Sequence, residues 1–203
     1  MIRLYDYLPS GNGYKVRLLL TQLGTPYELV RLDIKTGVTR EPDYLERNPI
    51  GKIPAVQLDD GRHLAESHAI LSYFAEGTPF VPADAYEHAQ MWQWMCFEQY
   101  SLEPCIGTLR YWRASLGQTP GQIGLDRYRE KLDGGHSALV ILEAEVSQRD
   151  WLVAGAYTLA DIALYAYTHV AEEGDFELDR FPAVRAWHER VRRQPKHIPI
   201  TQG

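Results

Sequence analysis

The chain has 203 residues, 45% of them hydrophobic and 24% charged, and a formal net charge of −6. That is the profile of a soluble globular protein with one large or two modest domains, and its acidic balance argues against nucleic acid as a partner. The two cysteines, Cys96 and Cys105, allow neither a disulfide framework nor a Cys-x-x-Cys motif. No apolar run reaches the roughly 20 residues of a membrane span, and no histidine pair has metal-ligand spacing. Neither a membrane nor a metal is expected, and a reducing cytoplasm is the default compartment.

From the N-terminus, Ile2–Asp6 reads as a strand, with Ile2 and Leu4 alternating against Arg3. The loop Leu8-Pro-Ser-Gly-Asn-Gly13 follows. Val16, Leu19, Leu20 and Leu23 then recur at helical spacing, and Gly24 and Pro26 stop that helix. Tyr27–Leu32 is a second strand, joined to the first by a right-handed crossover. Pro42–Arg47 is a short helix, and Asn48-Pro-Ile-Gly-Lys-Ile-Pro54 is irregular because two prolines and a glycine deny it a ladder. Ala55–Leu58 and Arg62–Ala65 flank Asp59-Asp60-Gly61 as a hairpin, and a helix from Glu66 ends at Gly77. The order is β-α-β-α-β-β-α, a mixed sheet covered by helices over residues 1–78.

Thr78-Pro-Phe-Val-Pro-Ala83 reads as a linker, placed at 79–83, and residues 84–203 form an all-helical second domain. Its expected helices run from Ala85 to about Arg113, from Leu125 to Gln148, and onward from Pro182, where Val184, Trp187 and Val191 share a face. Thr158-Leu-Ala-Asp161 has the form of a capping box and starts another. The basic cluster Arg190, Arg192, Arg193 and Lys196 reads as a solvated last-turn face that complements the helix dipole.

Four features of the first domain suit a small thiol peptide. Ser10 and Asn12 stand at the mouth of the first helix. A free thiol, with a pKa of about 8.5, is roughly 3% ionised at neutral pH. A hydroxyl or amide donor beside a helix N-terminus favours the thiolate. The alternative makes Ser10 a plain cap and Asn12-Gly13 a turn. A cis Ile53-Pro54 bond would turn the Ile53 backbone towards an extended ligand, whereas an ordinary trans proline would simply open a strand. Glu66 and Ser67, at a strand-to-helix turn, offer N–H groups and a hydroxyl to a carboxylate, or else form a plain N-cap. Lys52 could neutralise a second carboxylate.

Three runs carry a family resemblance: Asn48-Pro-x-Gly-Lys-Ile-Pro54 with Glu66-Ser67-x-Ala-Ile70, then Thr158-Leu-Ala-Asp161, then Phe181-Pro-Ala-Val-x-x-Trp187. In order and spacing the chain resembles a cytosolic glutathione transferase throughout. The resemblance implies a thioredoxin-like first domain, an all-α second domain, glutathione as co-substrate without a metal, and a homodimer. Carried over, Ile53 would hold the cysteinyl backbone beside Pro54, Glu66 and Ser67 the γ-glutamyl end, and Lys52 the glycyl end. The first loop is most similar to nu-like members, with theta-like members as the alternative. That makes Asn12 the thiol donor with Ser10 assisting, ahead of Tyr5 and Tyr7, and Arg127 a residue reaching glutathione from the partner subunit.

The implied chemistry is attack of a glutathione thiolate on a small electrophile. Reduction of a disulfide by glutathione is a second version, and a non-catalytic dimeric scaffold is the reading from another class. Tyr100, Glu103, Arg110, Tyr111 and Arg113 are candidates for the electrophile pocket. Among them, Arg110 and Arg113 would suit an anionic co-substrate or a solvated face equally.

Overall fold

In the computed structural model, which describes residues 1–203, the first strand β1 (Ile2–Asp6) occupies an inner position of a four-stranded sheet. It pairs in parallel with β2 (Tyr27–Arg31) and antiparallel with β3 (Ala55–Gln57), which pairs antiparallel with β4 (His63–Ala65). The order is therefore β2-β1-β3-β4. Between them run α1 (Gly11–Leu23), two short 3-10 turns, α2 (Pro42–Leu45) and, after β4, α3 (Ser67–Ala75). Strand alternation sorts the side chains by face. Leu4 and Val56 meet Val16, Leu20 and Ile70 on the side of α1 and α3, whereas Tyr5 and Ala55 meet Tyr44 of α2.

The same alternation sends Asp6 to the α1 side, where it is fully buried against Arg17 at 2.9 Å. Burial pushes the Asp6 carboxyl up to about 6, with Arg17 opposing. Gly13 is the consequence. A Cβ there would lie 1.7 Å from Asp6 Oδ1, so the glycine serves close approach inside the first helical turn. The turn that the alternative reading put at Asn12-Gly13 does not form, because α1 already begins at Gly11.

Contacts divide the chain into two units, 1–78 with 195–203, and 79–194. Residues 195–203, expected with the helical domain, thus fold with the first unit. They are held there by hydrogen bonds. Tyr14 Oη donates to the Ile198 carbonyl at 2.7 Å, and Arg17 donates to the carbonyls of Ile200 at 3.0 Å and Gln202. Arg17 also reaches the Leu8 carbonyl at 2.6 Å, within the loop that opens α1.

The second unit is helical. The expected helix from Ala85 is α4 (Ala85–Phe97), which then widens into π-helical turns over Glu98–Gly107 around Pro104. After α5 (Thr108–Arg110), π turns resume over Tyr111–Ser115. A proline inside a helix removes an N–H and crowds the preceding turn, and periodicity alone did not register that change of winding. Then come α6 (Pro120–Ile123), α7 (Leu125–Val146), α8 (Leu159–Thr168) and α9 (Pro182–Arg192), with 3-10 turns at Ala171–Gly174 and Leu178–Arg180. The capping box forms as expected, and its Asp161 is fully buried. That carboxylate accepts from Thr158 N at 2.9 Å, Thr158 Oγ1 at 3.3 Å, Leu152 N at 3.2 Å and Trp187 Nε1 at 3.0 Å. Glu143 of α7 accepts from the first free N–H groups of α9, those of Ala183 and Val184. No helix is long and apolar enough to cross a membrane.

Candidate functional site

Seven of the eight site residues singled out from sequence fall in the first unit: Ser10, Asn12, Lys52, Ile53, Pro54, Glu66 and Ser67. The starts of α1 and α3 bring four polar side chains together. Ser10 is the N-cap of α1, its Oγ accepting from Gly13 N at 3.2 Å, so the capping role holds and leaves its hydroxyl proton to donate elsewhere. Two residues later, Asn12 Oδ1 accepts from Lys15 Nζ at 2.8 Å and from Ser67 Oγ at 3.3 Å. Lys15 Nζ also lies 3.4 Å from His68 Nε2. Lys15 is fully buried, Ser67 and His68 nearly so, while Asn12 remains half-exposed.

The Ile53–Pro54 bond is cis. Ile53 stands just ahead of the β3–β4 ladder, whose first pair is Ala55 with Ala65, so its backbone lies where an extended peptide could add on. The segment before it is braced from beneath. The Lys52 carbonyl accepts from Tyr44 Oη at 2.6 Å and Asn48 Nδ2 at 2.7 Å, and burial raises the Tyr44 phenol to about 12, keeping it a donor. The Lys52 side chain itself is exposed.

Glu66 precedes α3 with φ 67° and ψ 116°, a region non-glycine residues rarely occupy. Glu66 is exposed, and it immediately precedes the first N–H groups of α3, a helix end suited to a carboxylate.

Tyr5 faces elsewhere: its ring packs edge-on against Tyr44 and beneath Arg47, on the sheet face opposite α1. Arg127 belongs to the second unit and stacks its guanidinium 4.8 Å over the Trp112 ring. Arg110 and Arg113 are committed to ion pairs, with Glu173 at 2.8 Å and Asp175 at 2.5 Å, and Tyr128 also donates to Asp175. These arginines hold the 171–175 turn. Tyr100 is 88% exposed. Burial pushes the Cys105 thiol up, away from thiolate, so it is a poor nucleophile. No group of three His, Cys, Asp or Glu side chains is placed to hold a metal ion.

Sequence reasoning passed over Lys15 and His68. The available signal was spacing, since Lys15 is three residues after Asn12 on one helix face and His68 directly follows Ser67.

Residues 1–76 match the family model for the glutathione S-transferase N-terminal domain, and residues 106–195 that for its C-terminal domain. The chain is 31% identical over 202 residues to the disulfide-bond oxidoreductase YfcG of Escherichia coli K12, covering 96% of this chain and 92% of that protein. Among solved structures, a glutathione S-transferase from Pseudomonas fluorescens Pf-5 superposes with a TM-score of 0.96 at 42% identity, covering 99% of both chains. The glutathione transferase URE2P6 of Phanerochaete chrysosporium, in complex with oxidised glutathione, superposes with a TM-score of 0.83 at 27% identity, covering 96% of this chain and 92% of that one.

Proposed function

Because this chain belongs to the glutathione S-transferase family, we propose that it binds glutathione in its first unit and ionises the thiol for attack on a small electrophile. Asn12 is the main donor to the thiolate and Ser10 assists. Ile53 pairs with the cysteinyl backbone beside Pro54, Glu66 and Ser67 take the γ-glutamyl end, and Lys52 the glycyl carboxylate. The working form is a cytoplasmic homodimer in which Arg127 approaches glutathione from the partner subunit.

The observation that carries this reading is the Ser67–Asn12 link. It brings the start of α3, suited to a carboxylate, to the start of α1, suited to a thiolate. Positive helix ends favour both anions. Lowering the thiol pKa by about two units requires about 2.7 kcal/mol of preferential interaction with the anion, within reach of one charge-assisted hydrogen bond plus a helix start.

A second reading directs the same thiolate at a disulfide sulfur, and the similarity to a disulfide-bond oxidoreductase favours it. One glutathione thiolate would attack the disulfide and release a thiolate. A second glutathione would then resolve the mixed disulfide, giving oxidised glutathione and two thiols. This scheme requires no protein cysteine.

Calorimetric titration with glutathione, followed by the ultraviolet absorbance of the bound thiolate against pH, tests the proposal. Binding with a thiol pKa well below 8.5 is expected. Asn12→Ala should raise that pKa by more than Ser10→Ala does. No binding at millimolar glutathione would leave only the scaffold reading, and a larger shift for Ser10→Ala would reverse the order of the two donors.

A further inference from the structure

Lys15 sits where stability alone would not put it. Its ammonium is fully buried, and it lies in the second turn of α1, near the helix end that repels cations. It donates to Asn12 Oδ1 at 2.8 Å and lies 3.4 Å from His68 Nε2. An asparagine amide presents an acceptor on one side and two donors on the other, and a half-turn exchanges them. Facing a sulfur, the NH2 group favours the thiolate, whereas the oxygen favours the neutral thiol. The amide's orientation therefore decides the sign of its effect.

Of the two groups on Asn12 Oδ1, Ser67 cannot decide that orientation, because a hydroxyl both donates and accepts. An ammonium only donates, so Lys15 is compatible with the oxygen side alone. The Oδ1 atom is thus held inwards, and the Nδ2 group is left for the open side. The ammonium also polarises the amide and strengthens its N–H bonds as donors.

Building on the glutathione reading above, we propose that Lys15 is a positioning residue whose buried ammonium locks the Asn12 amide with its NH2 group towards the glutathione sulfur. It acts through Asn12 and has no contact with the thiol. The placement of His68 next to Ser67 also ties the ammonium to the start of α3, where the peptide's other end is held.

The test uses Lys15→Met, which keeps the length and removes the donor, alone and combined with Asn12→Ala. Two readouts are followed: the pKa of bound glutathione from thiolate absorbance, and the calorimetric affinity for S-methylglutathione, which has no ionisable thiol. Lys15→Met should raise the thiol pKa by about one unit, a tenfold loss of thiolate fraction well below the pKa. Affinity for S-methylglutathione should stay within about threefold, and in the Asn12→Ala background Lys15→Met should move the pKa by less than about 0.3. Lys15→Gln, able to donate or accept and so unable to enforce one orientation, should give a smaller shift and serves if the methionine variant does not fold. An unchanged thiol pKa overturns the proposal. So does an equal shift with and without Asn12, which would mean that the charge acts on sulfur directly. Failure of the wild-type protein to bind S-methylglutathione is a different result, and it overturns the glutathione reading itself.

Discussion

Replacing Asp161 with alanine should be far more damaging than loss of a helix cap. A cap alone contributes about 0.5–2 kcal/mol. Here the carboxylate also accepts from the Leu152 N–H and the Trp187 indole, so the substitution strands three buried N–H donors along with the Thr158 hydroxyl. At about 1–3 kcal/mol for each stranded donor, and allowing for partial entry of water, the loss comes to about 3–6 kcal/mol. Thr158→Ala removes only the hydroxyl half of the box and should cost about 1 kcal/mol. Urea unfolding followed by tryptophan fluorescence measures both, because the Trp187 ring is fully buried and reports directly. Affinity for glutathione in the folded fraction should not change. A loss for Asp161→Ala within about 1 kcal/mol of that for Thr158→Ala would refute the reasoning, since it would mean that the indole and Leu152 find other acceptors.

Gly13→Ala should destabilise by at least about 3 kcal/mol in the same assay, because the new methyl meets an Asp6 carboxylate that is locked to buried Arg17 and must be driven back. A cost below about 1 kcal/mol would show that the strand end is more yielding than its burial implies. Ser67→Ala should weaken glutathione binding by about 1–3 kcal/mol without lowering the melting temperature, and an unchanged dissociation constant would remove Ser67 from the site. His188 is held well below its ordinary value of 6.5 by burial, with His169 and Arg192 adding to the effect. The stability that neutral His188 contributes is therefore present above about pH 6.5 and lost as pH falls, at up to about 1.4 kcal/mol per unit. His188→Gln, able to keep the bond to Thr168 Oγ1, should remove one proton's worth of that slope between about pH 6.5 and 5. Parallel pH profiles for wild type and variant would contradict it.

What could be read beforehand was local. Ser10 capping α1, the Thr158–Asp161 box and the Asp-Gly hairpin each involve residues within a few positions, so composition at fixed offsets reports them. The strand β1 was legible for the same reason, as alternation is a property of five consecutive residues. Contacts between distant segments were not. Lys15 and Arg17 look like the polar face of an amphipathic helix, and only the strand end at Asp6 and the turn before α3 make an inward direction worthwhile. Arg110 and Arg113 find Glu173 and Asp175 some sixty positions away, which no periodicity encodes. Residues 195–203 carry no repeating pattern at all. They are fixed by their carbonyls, and a carbonyl belongs to every residue type.

That return of residues 195–203 bears on the order in which the molecule is made. A chain emerging from the ribosome ordinarily completes its N-terminal domain first. Here Arg17 waits for carbonyls synthesised 183 and 185 residues later, and until they arrive two of its three carbonyl acceptors are missing. All of residues 79–194 emerge in that interval and can close their own core. The helical unit is thus in a position to mature ahead of the sheet that precedes it, and a released chain truncated after Gln194 would hold every residue of its second unit while its first still lacked its final anchor.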